Sequence, residues 1–357
     1  MCLPRRLDDK LARMNAGKAT RRDFILADAK DADMAFGLAA PGPRGGPASG
    51  RHQAAAAGWK SLEDYRRQIR AVVDQGVVDL VLLSASNLEQ LAIVERRFEG
   101  SAVTPAARAN DTTDIWNVRG GGYPTRPSRP FRTASIEHIK YGRLQSDCTP
   151  PPLGADLGLY SITFTNDPEW DRQTLQEFAA FRHEAEAKRF RYFLEVFNPN
   201  VDPGIPAREI PGFLNDHVVR TLAGITSAAR PLFLKVPYNG PRALEELVSY
   251  DPAVIVGIMG GSSGTTLDAF QLLHDAQEHG ARAALFGRKI NLSEQPLMFI
   301  EFLRRIADGE IGPVEAVKAY HAALAREGIK PQRSLREDLR CTAAPAADRR
   351  QRSRPRS

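Results

Sequence analysis

Residues 231–240 read PLFLKVPYNG, a short apolar run interrupted by one lysine, Lys235, and closed by a proline, asparagine and glycine turn. A run this short, bounded by turn residues, predicts a strand rather than a helix. Apolar side chains at both parities mean that both faces are covered, the signature of a parallel sheet inside α/β layers. Similar runs recur at 24–30, 78–84, 103–109, 157–165, 191–197, 253–259 and 281–287. Amphipathic stretches at 62–75, 171–188, 214–228 and 266–279 lie between several of them. Eight strand–helix units favour a closed (β/α)8 TIM barrel over an open doubly wound sheet.

The chain has 357 residues, 42% hydrophobic and 26% charged, enough for one large core. Its net charge of +6 and pI near 9.3 look basic. Residues 340–357, however, hold six arginines and one aspartate, so the excess belongs to a tail and the rest is almost neutral. No nucleic-acid-binding face is expected. Cys2, Cys148 and Cys341 are far apart and lack CxxC spacing, which argues against a disulfide framework or zinc site and fits a reducing, cytoplasmic setting. No secretory h-region or apolar run of membrane-spanning length occurs, so no membrane partner is expected.

This suggests an N-terminal extension over 1–23, a barrel over 24–330 and a disordered basic tail over 331–357. Helices at 295–308 and 313–327 would complete the barrel. Long insertions at 41–57 and 111–152 follow the first and third strands, placing them at the C-terminal mouth as lids or as mobile decoration.

Because strand side chains alternate, Phe233 and Lys235 share a face, with Lys235 near the mouth. In RYFLEVFNPN (191–200), Phe193, Glu195 and Phe197 share the corresponding face. Neighbouring strands lie ~4.8 Å apart, so Glu195 can reach Lys235. A buried amine is destabilised in its charged form, which favours the free base that attacks carbonyls. A carboxylate beside it can shuttle protons. The other reading is a structural Lys–Glu ion pair without chemistry, and the residues alone leave both open.

GIMGGSSGTTLDAF (257–270) is a strand, a glycine- and hydroxyl-rich turn and a helix start. Gly260 and Gly261 admit a ligand close to the backbone. Ser262, Ser263, Thr265 and Thr266 offer donors near a helix N-terminus. The next strand ends ALFGRKI, where Gly287 gives access and Arg288 can hold a phosphate in bidentate fashion. Barrels often build phosphate sites after their last two strands.

The order FLEVF, FLKVPY, MGGSSG, FGRKI resembles the class I aldolases of the fructose-bisphosphate, tagatose-bisphosphate and deoxyribose-phosphate superfamily, over roughly residues 159–303. The resemblance implies a Schiff-base lysine at Lys235 and, as in the tagatose-bisphosphate branch, a catalytic glutamate at Glu195. It also implies phosphate ligands at Gly260, Gly261, Gly287 and Arg288, and a homo-oligomer. Phe197 stands where the archaeal-type branch has a tyrosine.

In the first strand, Asp28 and Lys30 share a face. The resemblance makes Asp28 an acid–base candidate, and Lys30 is a second amine or a substrate-binding cation; an ion pair at the strand end is the competing reading. Arg108 and Asn110 are candidates for substrate hydroxyls or a second phosphate. Asp111 and Asp114 lack a histidine at metal-ligand spacing, and the seven histidines form no HxH or HExxH pair, so no metal is expected. No cofactor is expected. The leading expectation is a Schiff-base aldolase acting on a phosphorylated small molecule. A phosphosugar isomerase or epimerase barrel and a non-catalytic phosphometabolite-binding barrel remain alternatives.

Overall fold

A computed structural model describes residues 5–44, 58–144, 151–261 and 264–342. Eight parallel strands close into a barrel: β1 (Ile25–Lys30), β2 (Leu80–Leu83), β3 (Thr104–Arg108), β6 (Leu157–Thr163), β7 (Arg191–Phe197), β8 (Leu234–Val236), β9 (Val256–Met259) and β10 (Ala283–Phe286). The ring runs β1-β10-β9-β8-β7-β6-β3-β2, and two further strands, β4 (Asp111–Thr112) and β5 (Pro130–Phe131), form a separate antiparallel hairpin. All eight strands expected from the sequence are present; 191–197 has the expected bounds and the other seven are shorter at one or both ends.

Side-chain alternation divides the core in two. Ile25, Ala27, Leu82, Ala106, Phe193, Phe233 and Leu285 belong to an inner cluster within the ring. Leu26, Val81, Leu83, Leu194 and Leu234 join the larger cluster between strands and helices. The helix Arg6–Asn15 contributes Leu7 and Leu11 to the inner cluster and closes the N-terminal end of the barrel. Its Lys10 donates to Asp79 Oδ2 (2.9 Å) and the Phe24 carbonyl (2.8 Å), and Asp79 also accepts from the Leu26 amide (2.8 Å). Burial brings the Lys10 pKa down to about 8, against the pull of Asp79. Among the described residues, no helix is long and apolar enough to cross a membrane.

Residues 111–142 form a roof tied down at several points. Trp116 packs edge-on against Tyr123 and Phe131. Asn200 donates to the Pro124 and Arg126 carbonyls, and the Asn117 amide donates to the Ala35 carbonyl at 2.8 Å. Asp114 accepts from Ser128 and Thr163, and Asp111 from Thr133, each at 2.8 Å. The two aspartates thus anchor this segment, and the described residues contain no cluster of ligands for a metal. The described part of 41–57 ends at Arg44; residues 45–57 lie outside the described residues.

Two expectations need correction. Residues 334–342, expected within a disordered tail, carry a Ser334-capped helix (Leu335–Asp338) docked on the barrel. Asp338 anchors it by accepting from the Thr266 amide (2.7 Å) and contacting His321 Nε2 at 3.0 Å. Residues 343–357 lie outside the described residues. Asp28 and Lys30, expected at the mouth, occupy the outer parity of β1 and are fully buried between barrel and helices. They form an ion pair at 3.3 Å, and Lys30 also donates to Asn291 of the helix Arg288–Asn291. The inner parity belongs to Ala27 and Ala29, so neither polar group lines the cavity.

Burial raises the Asp28 pKa to about 6, outweighing the opposing effect of the Lys30 charge. A carboxyl with a higher pKa folded than unfolded contributes stability that is full at low pH and lost as pH rises through about 6. Replacing both partners (Asp28→Asn with Lys30→Met) is expected to leave stability at neutral pH within about 2 kcal/mol of wild type. It is also expected to shrink the fall in unfolding free energy between the ordinary aspartate value of 3.8 and about pH 6, read from urea titrations. Unchanged pH slopes would refute the assignment. Leu7→Ala is expected to cost about 2–5 kcal/mol, because it opens a cavity at the closed end of the barrel. A loss below about 1 kcal/mol in the same titration would show that the N-terminal helix adds little to the core.

Candidate active site

The parity that sends Phe193 and Phe233 inward sends Glu195 and Lys235 inward one step higher. The two phenylalanine rings stack at 4.6 Å and floor the site. Strand register sets Lys235 opposite Glu195 on one side and Gly257 on the other. The Lys235 ammonium forms an ion pair with Glu195 Oε1. Glu195 is 1% exposed and Lys235 7%, so the pair is shielded from water while the amine still borders the cavity.

The second carboxylate oxygen of Glu195 is held separately. Ser161 donates to Oε2 at 2.6 Å, and Arg108 Nη2 donates to the same atom at 3.4 Å. Arg108 also donates to Ser161 Oγ (3.0 Å) and, through Nε, to Asp31 Oδ2 (2.5 Å). Burial works against the Arg108 charge, but Asp31 and Glu195 overcome it and hold its pKa above the ordinary value. The result is a buried chain of alternating charge, Asp31–Arg108–Glu195–Lys235, with Ser161 bridging its middle. Two of its members, Asp31 and Ser161, escaped the sequence reading. Asp31 follows β1 on the inner parity, directly before the short helix Ala32–Phe36. Ser161 shares the inner parity of β6 with Leu157 and Leu159. Counting alternate residues from the small Ala27 and Ala29 is the signal that would have found Asp31.

Asn110, expected to bind substrate, instead continues the pairing of β3 with β6. Its Oδ1 accepts from the Ser161 amide (2.7 Å), its Nδ2 donates to the Ser161 carbonyl (2.9 Å), and it is 1% exposed. It therefore fixes the backbone that carries Ser161.

Gly260, Gly261, Gly287 and Arg288 line the same cavity as Lys235, which has a volume of about 620 Å³. That is the size of a small-metabolite site. A Cβ on Gly260 would meet the Phe286 ring at 2.3 Å, and one on Gly287 would meet the Ala29 carbonyl at 2.8 Å. Gly261 sits at φ +66, where a side chain is strained. The Gly260 amide donates to the Leu285 carbonyl (2.8 Å), so this glycine offers the cavity no backbone donor, and its missing side chain makes room for the Phe286 ring. Ser262 and Ser263 lie outside the described residues.

The helix Thr266–Glu278 does not offer the open N-terminus expected for an anion. The Thr265 amide donates to Asp268 (2.7 Å), and the Thr266 amide to Asp338. Two carboxylates of the chain itself already satisfy the positive end of that helix dipole. What remains at this end of the cavity is the Gly261 turn and the Gly287–Arg288 step. Lys289 joins the two by donating to the Gly264 carbonyl at 2.9 Å.

No protein-family model matches this chain, and no curated protein matches it in sequence. Solved structures do match. An archaeal fructose 1,6-bisphosphate aldolase aligns with a TM-score of 0.56 at 18% identity, over 85% of this chain and 99% of that one. A structure from a mechanistic study of the Schiff-base-forming fructose-1,6-bisphosphate aldolase gives 0.57 and 18%, over 84% and 99%. A protein from Corynebacterium glutamicum gives 0.53 and 15%, over 87% and 100%. At these identities the likeness is one of architecture: the chain folds as a closed, eight-stranded α/β barrel built like that of the archaeal aldolases.

Proposed function

We propose that this protein is a Schiff-base aldolase or related carbon–carbon lyase acting on a phosphorylated sugar or keto compound. The observation that carries this reading is the Lys235 amine, borne on an inward strand position, paired with a carboxylate and bordering a cavity that Gly260, Gly261, Gly287 and Arg288 also line. A purely structural ion pair does not need the cavity.

The chemistry follows from that arrangement. Lys235 passes its proton to Glu195 Oε1, and the neutral amine adds to the substrate carbonyl to give a carbinolamine. Glu195 returns the proton to the carbinolamine hydroxyl, which departs as water and leaves an iminium. Glu195, again a carboxylate, then takes the proton of the β-hydroxyl. The C–C bond breaks, its electron pair moves into the iminium to form an enamine, and an aldehyde leaves. Ser161 and Arg108 keep Oε2 fixed, so Oε1 stays aimed at the amine throughout. Asp28, on the outer face of β1, takes no part in this scheme.

Borohydride reduction in the presence of dihydroxyacetone phosphate is expected to leave a stable adduct on Lys235, located by peptide mass mapping. Lys235→Ala should abolish both adduct and turnover. Glu195→Gln, nearly isosteric, should lower the rate by about 10²–10⁴-fold, the usual range for loss of a general acid–base group. Turnover of a phosphosugar that survives Lys235→Ala would replace the aldolase reading with an isomerase or epimerase. Tight phosphometabolite binding without turnover would favour a binding barrel.

A further inference from the structure

Gly260 and Gly261 follow β9, Gly287 and Arg288 follow β10, and all four line the cavity. The turn after β9 also carries Gly264, and two of its glycines hold left-handed backbone, with φ +66 at Gly261 and +99 at Gly264. A glycine-bearing turn of this kind has much conformational freedom to lose when it closes on a ligand. Residues 332–342 tie it down. A Cβ on Gly264 would collide with the Asp268 carboxylate, which accepts from the Thr265 amide. That carboxylate also accepts from the amide (2.8 Å) and the hydroxyl of Thr342. The Thr265 hydroxyl donates to the Arg340 carbonyl and the Thr266 amide to Asp338, each at 2.7 Å. The same segment reaches the connection after β10. Gln332 donates through its amide to Glu294 Oε1 and through Nε2 to the Leu292 carbonyl, both at 2.8 Å. Leu292 directly follows the helix Arg288–Asn291.

We infer that residues 332–342 are a positioning strap that holds the turn after β9 and the segment after β10 at a fixed separation, so that affinity for a phosphorylated substrate, but not the reactivity of Lys235, depends on Asp338 and Thr342. The bonds just named end on 265–268 and 292–294. Lys235 and Glu195 are set instead by the pairing of β7 with β8. Loss of the strap therefore loosens the glycine-bearing wall and leaves the ion pair in register. A binding surface already held in its bound shape has less ordering cost to meet. Asp338 is the central tie: it is 2% exposed and joins His321 to the Thr266 amide.

This inference takes from the aldolase reading above that the substrate phosphate lies along that wall, and the experiment keeps the two apart. Borohydride trapping on Lys235 is titrated with dihydroxyacetone phosphate and with dihydroxyacetone, which lacks the phosphate. Binding of inorganic phosphate is followed by calorimetry, always on the full chain. Thr342→Pro, at an exposed position, removes both donors to Asp268, and Asp338→Ala removes the central tie. Each should raise the half-saturating dihydroxyacetone phosphate and the phosphate Kd by about tenfold, the order expected for lost hydrogen bonds. Dihydroxyacetone should titrate as in wild type. Asp338→Asn, which keeps an acceptor for the Thr266 amide, should recover most of the affinity. If Asp338→Ala does not fold, Thr342→Pro decides alone. Unchanged phosphate affinity in Thr342→Pro, or an equal loss with both donors, overturns the inference and spares the aldolase reading. A wild type that binds phosphate but traps neither donor overturns the aldolase reading, and the phosphate titration of the variants then decides the strap. Neither phosphate binding nor trapping in wild type overturns both.

Discussion

A lysine and a glutamate that must be buried together at one level of the barrel constrain everything around them. Two charges removed from water are tolerable only if each is paired and its remaining polar atoms are satisfied. Strand register supplies the first condition by setting Lys235 against Glu195. Ser161, Arg108 and Asp31 supply the second, extending the pair into a chain that spans β8, β7, β6, β3 and the end of β1. The stacked phenylalanines below and the roof above close this layer from two sides. Only the cavity side stays open, and that is where a carbonyl can meet the amine.

The helix layer shows the same economy of charge. Asp338 of the C-terminal segment and Asp268 occupy the positive end of the helix Thr266–Glu278, where an anionic ligand might otherwise be looked for. With that helix end occupied, Gly261, Gly287 and Arg288 are the nearby elements that line the cavity. Lys289 fixes the spacing of these two elements by bridging to Gly264. Gly261, Gly287, Arg288 and the amine therefore line one cavity.

Much of this was legible in the chain itself, for a physical reason. A lone charge inside an apolar strand demands a partner, and the interiors of 191–197 and 231–238 carry Glu195 and Lys235 at matching inner positions. Strand β1 was harder. Its alternate residues are Ala27, Ala29 and Asp31 on one face and Leu26, Asp28 and Lys30 on the other, and both faces are buried, so hydrophobicity does not mark the parity. The outer face of β1 meets the short helix bearing Asn291, which makes room for polar groups there, and the charges sit on the side opposite to expectation. Asn110 and Asp338 were unreadable as well. Their partners, Ser161 and Thr266, lie 51 and 72 residues away in sequence and become neighbours only once the barrel closes.

A crystal structure of the borohydride-reduced protein with dihydroxyacetone phosphate tests this account most directly. The expected result is continuous density from Lys235 Nζ to the ligand carbon, Glu195 beside the new bond, and the phosphate against Gly287 and Arg288. Density on another amine, or a phosphate seated away from that glycine-lined end while Lys235 stays closed in its ion pair, would contradict it.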